Sequence, residues 1–253
     1  MYDILYYYVG GTFAGIIGTV VSQPFDTYKV YLQNGKNLNL KNISLKKKIL
    51  FSYKGSMPCF IGYGIEKSLV FGTYSTIMNT FSLQENNYYH TLFAGIISGC
   101  VASLSITPAE QIKIDRQLMH KTTYNFKNLY KGFVYTLFRE GIGFGIYFTV
   151  YNQISKYFMQ CNNNDIFAIK LTKSAFIGGL SAFIAWLPIY PIDVNKTLIQ
   201  SNNNIKNYFE ELRILKFGKK VQRIYKGYSF CMMRAIPFHS TCFVCFEIMK
   251  AYK

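Results

Sequence analysis

Long apolar stretches alternate with short basic stretches along the chain. Uncharged runs cover residues 4–25, 86–109 and 174–192, and about 20 apolar residues let a helix cross a bilayer. The pattern predicts an all-α membrane protein with six transmembrane helices, each of its repeats also carrying a short amphipathic connector helix. The predicted long helices cover residues 5–33, 57–83, 90–118, 133–160, 169–200 and 228–252.

Three prolines mark three similar parts of the chain. Each proline is followed by an acid two residues later, a Lys five residues later and a Gln nine residues later, and small residues stand 13 and 9 positions before it. With only 12 acidic residues in the chain, this register indicates an internal repeat. We predict one domain, 1–253, built of repeats 1–85, 86–165 and 166–253. The positions are Pro24, Asp26, Lys29 and Gln33; Pro108, Glu110, Lys113 and Gln117; and Pro191, Asp193, Lys196 and Gln200.

The net charge of +16 is concentrated in the connectors within the repeats. Residues 34–54, 118–131 and 201–226 together hold 16 Lys and Arg, against five on the other side of the predicted bundle. The positive-inside bias therefore predicts that these connectors face the inner side of the membrane. Basic blocks between apolar spans argue against a nucleic-acid-binding protein, and the spans argue against a soluble enzyme. We expect no enzymatic activity, no cofactor and no metal site.

The charged helix ends suggest a gate. A proline inside a helix removes a backbone hydrogen bond and kinks the helix, so we expect kinks at Pro24, Pro108 and Pro191. The acid and the Lys that follow each proline lie one turn apart and face the same way. In a threefold arrangement, each acid can pair with the Lys of a neighbouring helix. Charges inside a membrane are costly and are usually paired and functional.

The runs "PFDTYK", "PAEQIK" and "PIDVNK", with the trailing Gln and a downstream "YKG", resemble the signature of the mitochondrial carrier family. The resemblance implies a monomeric, pseudo-threefold carrier in the mitochondrial inner membrane, although another organelle of endosymbiotic origin stays open. It implies pairs that close the matrix side: Asp26–Lys113, Glu110–Lys196 and Asp193–Lys29, braced by Gln33, Gln117 and Gln200. It also implies cardiolipin-binding elements at Lys54, Gly55, Lys131, Gly132, Lys226 and Gly227.

In the family, substrate contacts lie seven residues after the Gly of each triplet. These positions are Gly62, Arg139 (followed by Glu140) and Arg234. The three charged residues lie well inside apolar segments, where charges mark transport pathways. Arg can grip a carboxylate and Glu an ammonium, so the set suits a zwitterion. A purely structural ion pair is the alternative.

The stretches "LYKGFVYTLFRE" and "IGYGIEKSLVFGTY" resemble the S-adenosylmethionine carrier subgroup. The expected function is then exchange of S-adenosylmethionine for S-adenosylhomocysteine. Glu66 and Glu140 would face its positive centres, and Trp186 would either stack on it or merely pack. A carrier of a basic amino acid such as ornithine is the alternative. A scaffold that no longer transports is a third hypothesis, disfavoured by the three intact acid–base pairs.

Closure of the outer side is predicted to be weak. Family members usually carry an aromatic-acid-x-x-base run near the end of each even-numbered helix, and these runs pair across the outer face. Repeat 3 keeps it in residues 246–250, whereas Tyr74–Met78 has neither charge and Asn152 replaces the acid in repeat 2. The charge count predicts that the substrate-free carrier is open to the outside.

Overall fold

The computed structural model describes residues 2–33, 52–53, 57–118, 125–159, 167–201 and 205–251. Nine helices are present in these ranges, and the six long ones match the predicted helices to within three residues at every end. They are α1 (Tyr2–Gln33), α2 (Met57–Thr80), α3 (Tyr88–Leu118), α4 (Phe126–Leu129), α5 (Phe133–Met159), α6 (Phe167–Gln200), α7 (Ile205–Ile214), α8 (Phe217–Ile224) and α9 (Tyr228–Ala251).

The six long helices form a closed ring. Helix α1 packs on α2, α2 on α3, α3 on α5, α5 on α6, α6 on α9, and α9 returns to α1. The short helices α4, α7 and α8 belong to the connectors, so we call their end of the bundle the connector end and the other the terminal end. Among the described residues, two helices are long and apolar enough by themselves to cross a membrane: Tyr88–Arg116 and Ala168–Gln200.

The small residues before each repeat proline bring the two long helices of a repeat into backbone contact. A Cβ atom at Gly11 would lie 2.5 Å from the carbonyl oxygen of Lys67, and one at Gly99 would lie 2.3 Å from that of Glu140. Only glycine permits such an approach, so these glycines have a role in helix packing. These backbone contacts fix the positions of Lys67 and Glu140 along the axis of the helix bundle.

A tyrosine hydroxyl fills the backbone gap that each repeat proline leaves. Proline has no N–H, so the carbonyl four residues earlier loses its helical donor, and an unsatisfied carbonyl in a membrane costs several kcal/mol. In all three repeats, the aromatic residue of the YKG triplet donates to that carbonyl. The bonds run from Tyr53 to Val20 (2.8 Å), from Tyr130 to Leu104 (3.1 Å) and from Tyr225 to Leu187 (3.1 Å).

The CxxC motif of α9, Cys242 and Cys245, has a packing role. Cys242 is buried, and its thiol donates to the carbonyl of Ala14 on α1 at 3.3 Å. A Cβ atom at Gly18 would lie 2.9 Å from the same sulfur. Cys242 and Cys245 are both free thiols. The motif therefore seals the junction between α9 and α1.

Candidate substrate cavity

A cavity lies between the long helices, and its empty space, including the part open to solvent, is about 480 Å³. It is lined by charged and aromatic side chains from α2, α5, α6 and α9. Five of the six side chains predicted to contact substrate are in its wall, and all five are buried. They are Glu66, Arg139, Glu140, Trp186 and Arg234.

Gly62 is the exception, and its expected role is corrected by the structure. It faces α3, where a Cβ atom would lie 2.4 Å from the Cβ of Ala109. It is not in the wall of the cavity. The space that a glycine leaves on α2 is therefore filled by a neighbouring helix and gives no extra room for a substrate.

Trp186 lies beneath two of the protein's own cations. The guanidinium of Arg234 is 5.0 Å from the centre of its ring, and that of Arg139 is 5.9 Å away. Such contacts are attractive because the face of an indole carries negative charge. The ring thus positions both guanidiniums in the cavity.

Arg139 connects the cavity to the charged residues at the connector end. Its guanidinium contacts the carboxylate of Glu140, lies 3.2 Å from Glu110 Oε1 and lies 3.8 Å from Asp193 Oδ1. Two of these acids follow the repeat prolines, and the third lines the cavity. Any ligand group that pulls on Arg139 therefore also acts on the predicted gate.

Glu110 is the centre of that gate cluster. Lys196 donates to it, as the predicted pairing of these residues requires, and the hydroxyl of Tyr63 donates to it at 3.2 Å. With Arg139, three donors from α2, α5 and α6 meet on one buried carboxylate. The cluster has a shared acceptor where the sequence predicted separate pairs.

The side chains of several predicted gate residues are not described, and two predicted lipid residues lie outside the described ranges. For the pairs Asp26–Lys113 and Asp193–Lys29, the side chains of Asp26 and Lys29 are not described, so these pairs stay predictions. The same holds for the braces Gln33 and Gln117 and for the lipid residues Lys54 and Gly55.

The expected brace Gln200 bonds elsewhere. Its amide donates to the carbonyl of Lys131 at 3.4 Å and lies against Gly132. Gln111 then donates to the Gln200 carbonyl and to Asp115, both at 3.2 Å. Among the described residues, the amide of Gln200 therefore ties α6 to the residues before α5, and its role as a brace stays a prediction.

The connector end presents two glycines in the left-handed region, Gly132 (φ 77°) and Gly227 (φ 87°). They allow the chain to turn directly into α5 and α9. Nearby, Arg223 of α8 lies 2.9 Å from Glu211 of α7, and the resulting hydrogen bond lowers the pKa of Glu211. This exposed pair holds the two connector helices together. Lipid binding here stays a prediction.

Among the described residues, stacked rings and a hydrogen bond connect α2, α5 and α9 at the terminal end. Tyr74 stacks on Phe148 with ring centres 4.1 Å apart, and Tyr151 stacks on Phe243 at 4.0 Å. The amide of Asn152 donates to the Tyr74 hydroxyl at 2.9 Å. The predicted weak closure counted only charges, and it stays a prediction because the side chains of Glu247 and Lys250 are not described. We call this set the aromatic layer: Phe71, Tyr74, Phe148, Tyr151 and Phe243.

The sequence interpretation missed several residues of the cavity wall. Lys67 could have been found by the argument that supported Arg139, since it is a charge inside the apolar segment "IGYGIEKSLVF". The aromatic residues carry no such signal in a chain with 22 Tyr and 22 Phe. The missed residues include Tyr63, Lys67, Phe144, Tyr147, Phe238 and His239.

Comparisons with known proteins agree with this architecture. The family model described as "Mitochondrial carrier protein" matches three times, at residues 2–85, 84–162 and 168–253. The mitochondrial glycine transporter YMC1 of Saccharomyces cerevisiae is 30% identical, over 95% of this chain and 89% of its own length. The glutamate/glycine mitochondrial carrier ymc1 of Schizosaccharomyces pombe is 25% identical, over 97% and 93%.

The mitochondrial basic amino acids transporter of Homo sapiens is also similar, with 25% identity over 97% of this chain and 89% of its own. These relatives are named as transporters and carriers, which supports a transport protein over an enzyme. The predicted all-α fold with repeats and the predicted location are thereby confirmed. This chain belongs to the mitochondrial carrier family and is a multi-pass protein of the mitochondrial inner membrane.

Proposed function

We propose that this carrier transports amino acids by alternating access, with basic amino acids as its main substrates. The observation that supports this most strongly is the composition of the cavity wall. Two guanidiniums, of Arg139 and Arg234, and two carboxylates, of Glu66 and Glu140, face one buried space. A zwitterion with a further cationic group needs both kinds of partner in one place.

The chemistry of each group follows from its charge. A guanidinium can hold a substrate carboxylate with two parallel hydrogen bonds, and a buried carboxylate can receive an ammonium. Glu66 Oε2 has no hydrogen-bond partner among the described residues, so it can accept one. A neutral amino acid would use one carboxylate, and a basic one would use both.

The relatives favour amino acids over S-adenosylmethionine. They are named as carriers of glycine, glutamate and basic amino acids. Within the cavity, the indole that could have stacked on adenine already contacts Arg139 and Arg234. S-adenosylmethionine nevertheless carries the same zwitterionic head, so it belongs in any test.

Arg139 provides a physical route from binding to gating. A substrate carboxylate that draws Arg139 into the cavity weakens its contacts with Glu110 and Asp193. The cluster at the connector end then loses a cation, which lowers the cost of separating α3, α5 and α6 there. By this mechanism, the matrix side opens only when the cavity is occupied, as exchange of one solute for another requires.

The remaining elements of the proposal concern the lipid and the assembly. We assign cardiolipin phosphates to the turns at Lys131–Gly132 and Lys226–Gly227, where basic side chains stand beside the backbone N–H groups that begin α5 and α9. The carrier is proposed to act as a monomer, with one cavity inside one ring of helices.

Uptake by liposomes that contain the purified protein tests the function. We expect saturable uptake of labelled arginine and ornithine, weaker uptake of glycine and little uptake of S-adenosylmethionine. Glu140→Gln removes a cavity carboxylate and should lower uptake of basic amino acids at least tenfold. Glu210→Gln, at an exposed position on α7, is the matched control. Uptake of S-adenosylmethionine without uptake of amino acids would refute the proposal.

A further inference from the structure

The ammonium of Lys67 occupies the middle of the cavity wall like a bound ligand. Lys67 Nζ lies 2.8 Å from Glu66 Oε1, 4.3 Å from the ring centre of Phe144 and 5.1 Å from that of Phe238. These groups come from α2, α5 and α9, which are the second long helices of the three repeats. A carboxylate and two aromatic faces are the partners that proteins use to bind an ammonium or a guanidinium.

The contact between the side chains of Glu66 and Lys67 is unusual for consecutive residues of a helix. Consecutive residues on a helix point in different directions, yet the side chains of Glu66 and Lys67 meet in the cavity. The stem of Lys67 reaches it along α1, where a Cβ atom at Gly15 would lie 3.0 Å from Lys67 Cγ. Lys67 is almost completely buried, at 4% exposure. The side chain is thus guided into the cavity along a glycine surface.

We propose that Lys67 is a tethered competitor, whose ammonium occupies a cation subsite made of Glu66, Phe144 and Phe238. The proposal rests on the proposed function, which supplies a substrate with a cationic group. The substrate's cation displaces the Lys67 ammonium and takes its place on Glu66 and the two rings. Lys67 therefore determines specificity, because it penalises cationic side chains and leaves small neutral amino acids unaffected.

Two properties follow from a tethered competitor. In the empty carrier, the Lys67 ammonium stays paired with Glu66. The buried carboxylate therefore never lacks a compensating cation. The difference in affinity between basic and neutral substrates is also smaller than it would be if the subsite were unoccupied. Removing the Lys67 charge should therefore increase the affinity for basic amino acids and leave that for glycine nearly unchanged.

The test uses Lys67→Met, which keeps an apolar side chain of similar length, and Lys67→Gln as a second variant with a donor for Glu66. In liposomes, we expect the ratio of inhibition constants for arginine and glycine to fall at least tenfold in either variant. Lys67→Arg refills the subsite and should retain the wild-type ratio. Lys170→Gln, at an exposed position on α6, is the matched control.

A second measurement does not depend on the substrate being an amino acid. Butylammonium chloride, a cation without a carboxylate, should raise the unfolding temperature of detergent-purified Lys67→Met but not that of the wild type. Adding Glu66→Gln to Lys67→Met should abolish this shift. A shift in a variant that transports no amino acid would support the subsite and refute the proposed function. Absence of the shift together with an unchanged arginine-to-glycine ratio would overturn the role of Lys67.

Discussion

Glu110 carries more interactions than its place in a repeat motif implies. It accepts from Lys196, Arg139 and Tyr63, which belong to three different helices. Lys196, by contrast, donates its hydrogen bond to a single acid among the described residues, Glu110. The two members of one predicted pair are therefore unequal, and their substitutions should have unequal effects.

Glu110→Gln should destabilise the protein more than Lys196→Gln does. Loss of the carboxylate leaves two buried cations without it, and breaking a buried ion pair by removing one partner costs about 3–5 kcal/mol. Loss of Lys196 leaves Glu110 bonded to Arg139 and Tyr63, so we expect about half that cost. Unfolding temperatures of the purified variants measure the difference, with Glu210→Gln as control. Equal losses would show that Arg139 and Tyr63 do not support Glu110.

Part of this residue-level detail was predictable. Acids and lysines in register indicated that each acid pairs with the Lys of a neighbouring helix, and the family resemblance implied Glu110–Lys196 as one of these pairs. Tyr63 and Arg139 could not be assigned to the same cluster. Their contacts depend on how far α2 and α5 are rotated about their own axes, and neither periodicity nor charge reveals that rotation.

At the scale of the helices, glycine contacts determine where charged side chains stand. The backbone of α3 at Gly99 touches the backbone of α5 at Glu140. Any side chain there must push α5 outward and shift Arg139 and Glu140 with it. The uptake of substrate is therefore expected to depend on a residue that does not touch the cavity.

Gly99→Ala should lower uptake of basic amino acids at least tenfold. Its added methyl group meets backbone atoms, which cannot rotate away, and overpacking of this kind typically costs about 1–3 kcal/mol. Initial uptake rates in liposomes provide the measurement. Gly218→Ala on α8, where no atom lies within 4 Å of the new Cβ, should leave uptake unchanged. Normal uptake by Gly99→Ala would mean that α3 and α5 separate without cost.

The bounds of the helices followed closely from the sequence, because apolar runs of bilayer length end where basic connectors begin. The partner of Gly62 did not follow. A glycine that faces a cavity and a glycine that faces Ala109 look alike in one sequence. Only the relative rotation of α2 and α3 separates the two cases.

Different kinds of contact connect the long helices at the two ends of the molecule, among the described residues. The connector end uses a shared buried carboxylate, and the terminal end uses the aromatic layer. Counting ion pairs predicted that the terminal end opens easily, because such a count leaves out the stabilisation that stacked rings provide. Aromatic pairs contribute about 0.5–1.5 kcal/mol beyond the area that they bury, so the layer can balance the charged end.

Tyr74→Phe should shift this balance toward opening at the terminal end. The ring still stacks on Phe148, but the hydrogen bond from Asn152 is lost, at about 1 kcal/mol. We expect about a fivefold faster reaction of a cysteine at Ala185, which lines the cavity, with an impermeant maleimide added to that side. The native cysteines are first replaced by serine. Tyr157→Phe, at an exposed position on α5, is the control, and unchanged labelling would exclude Asn152–Tyr74 as a latch.

The bonds from the triplet tyrosines to the carbonyls before the prolines make two distant sequence positions interdependent. If a repeat loses its tyrosine first, the carbonyl freed by the proline is left bare at membrane depth. If the proline is replaced first, the restored N–H satisfies that carbonyl, and the tyrosine then becomes dispensable. The order in which substitutions can accumulate during evolution is thus constrained: in each repeat, the proline must change before the tyrosine does.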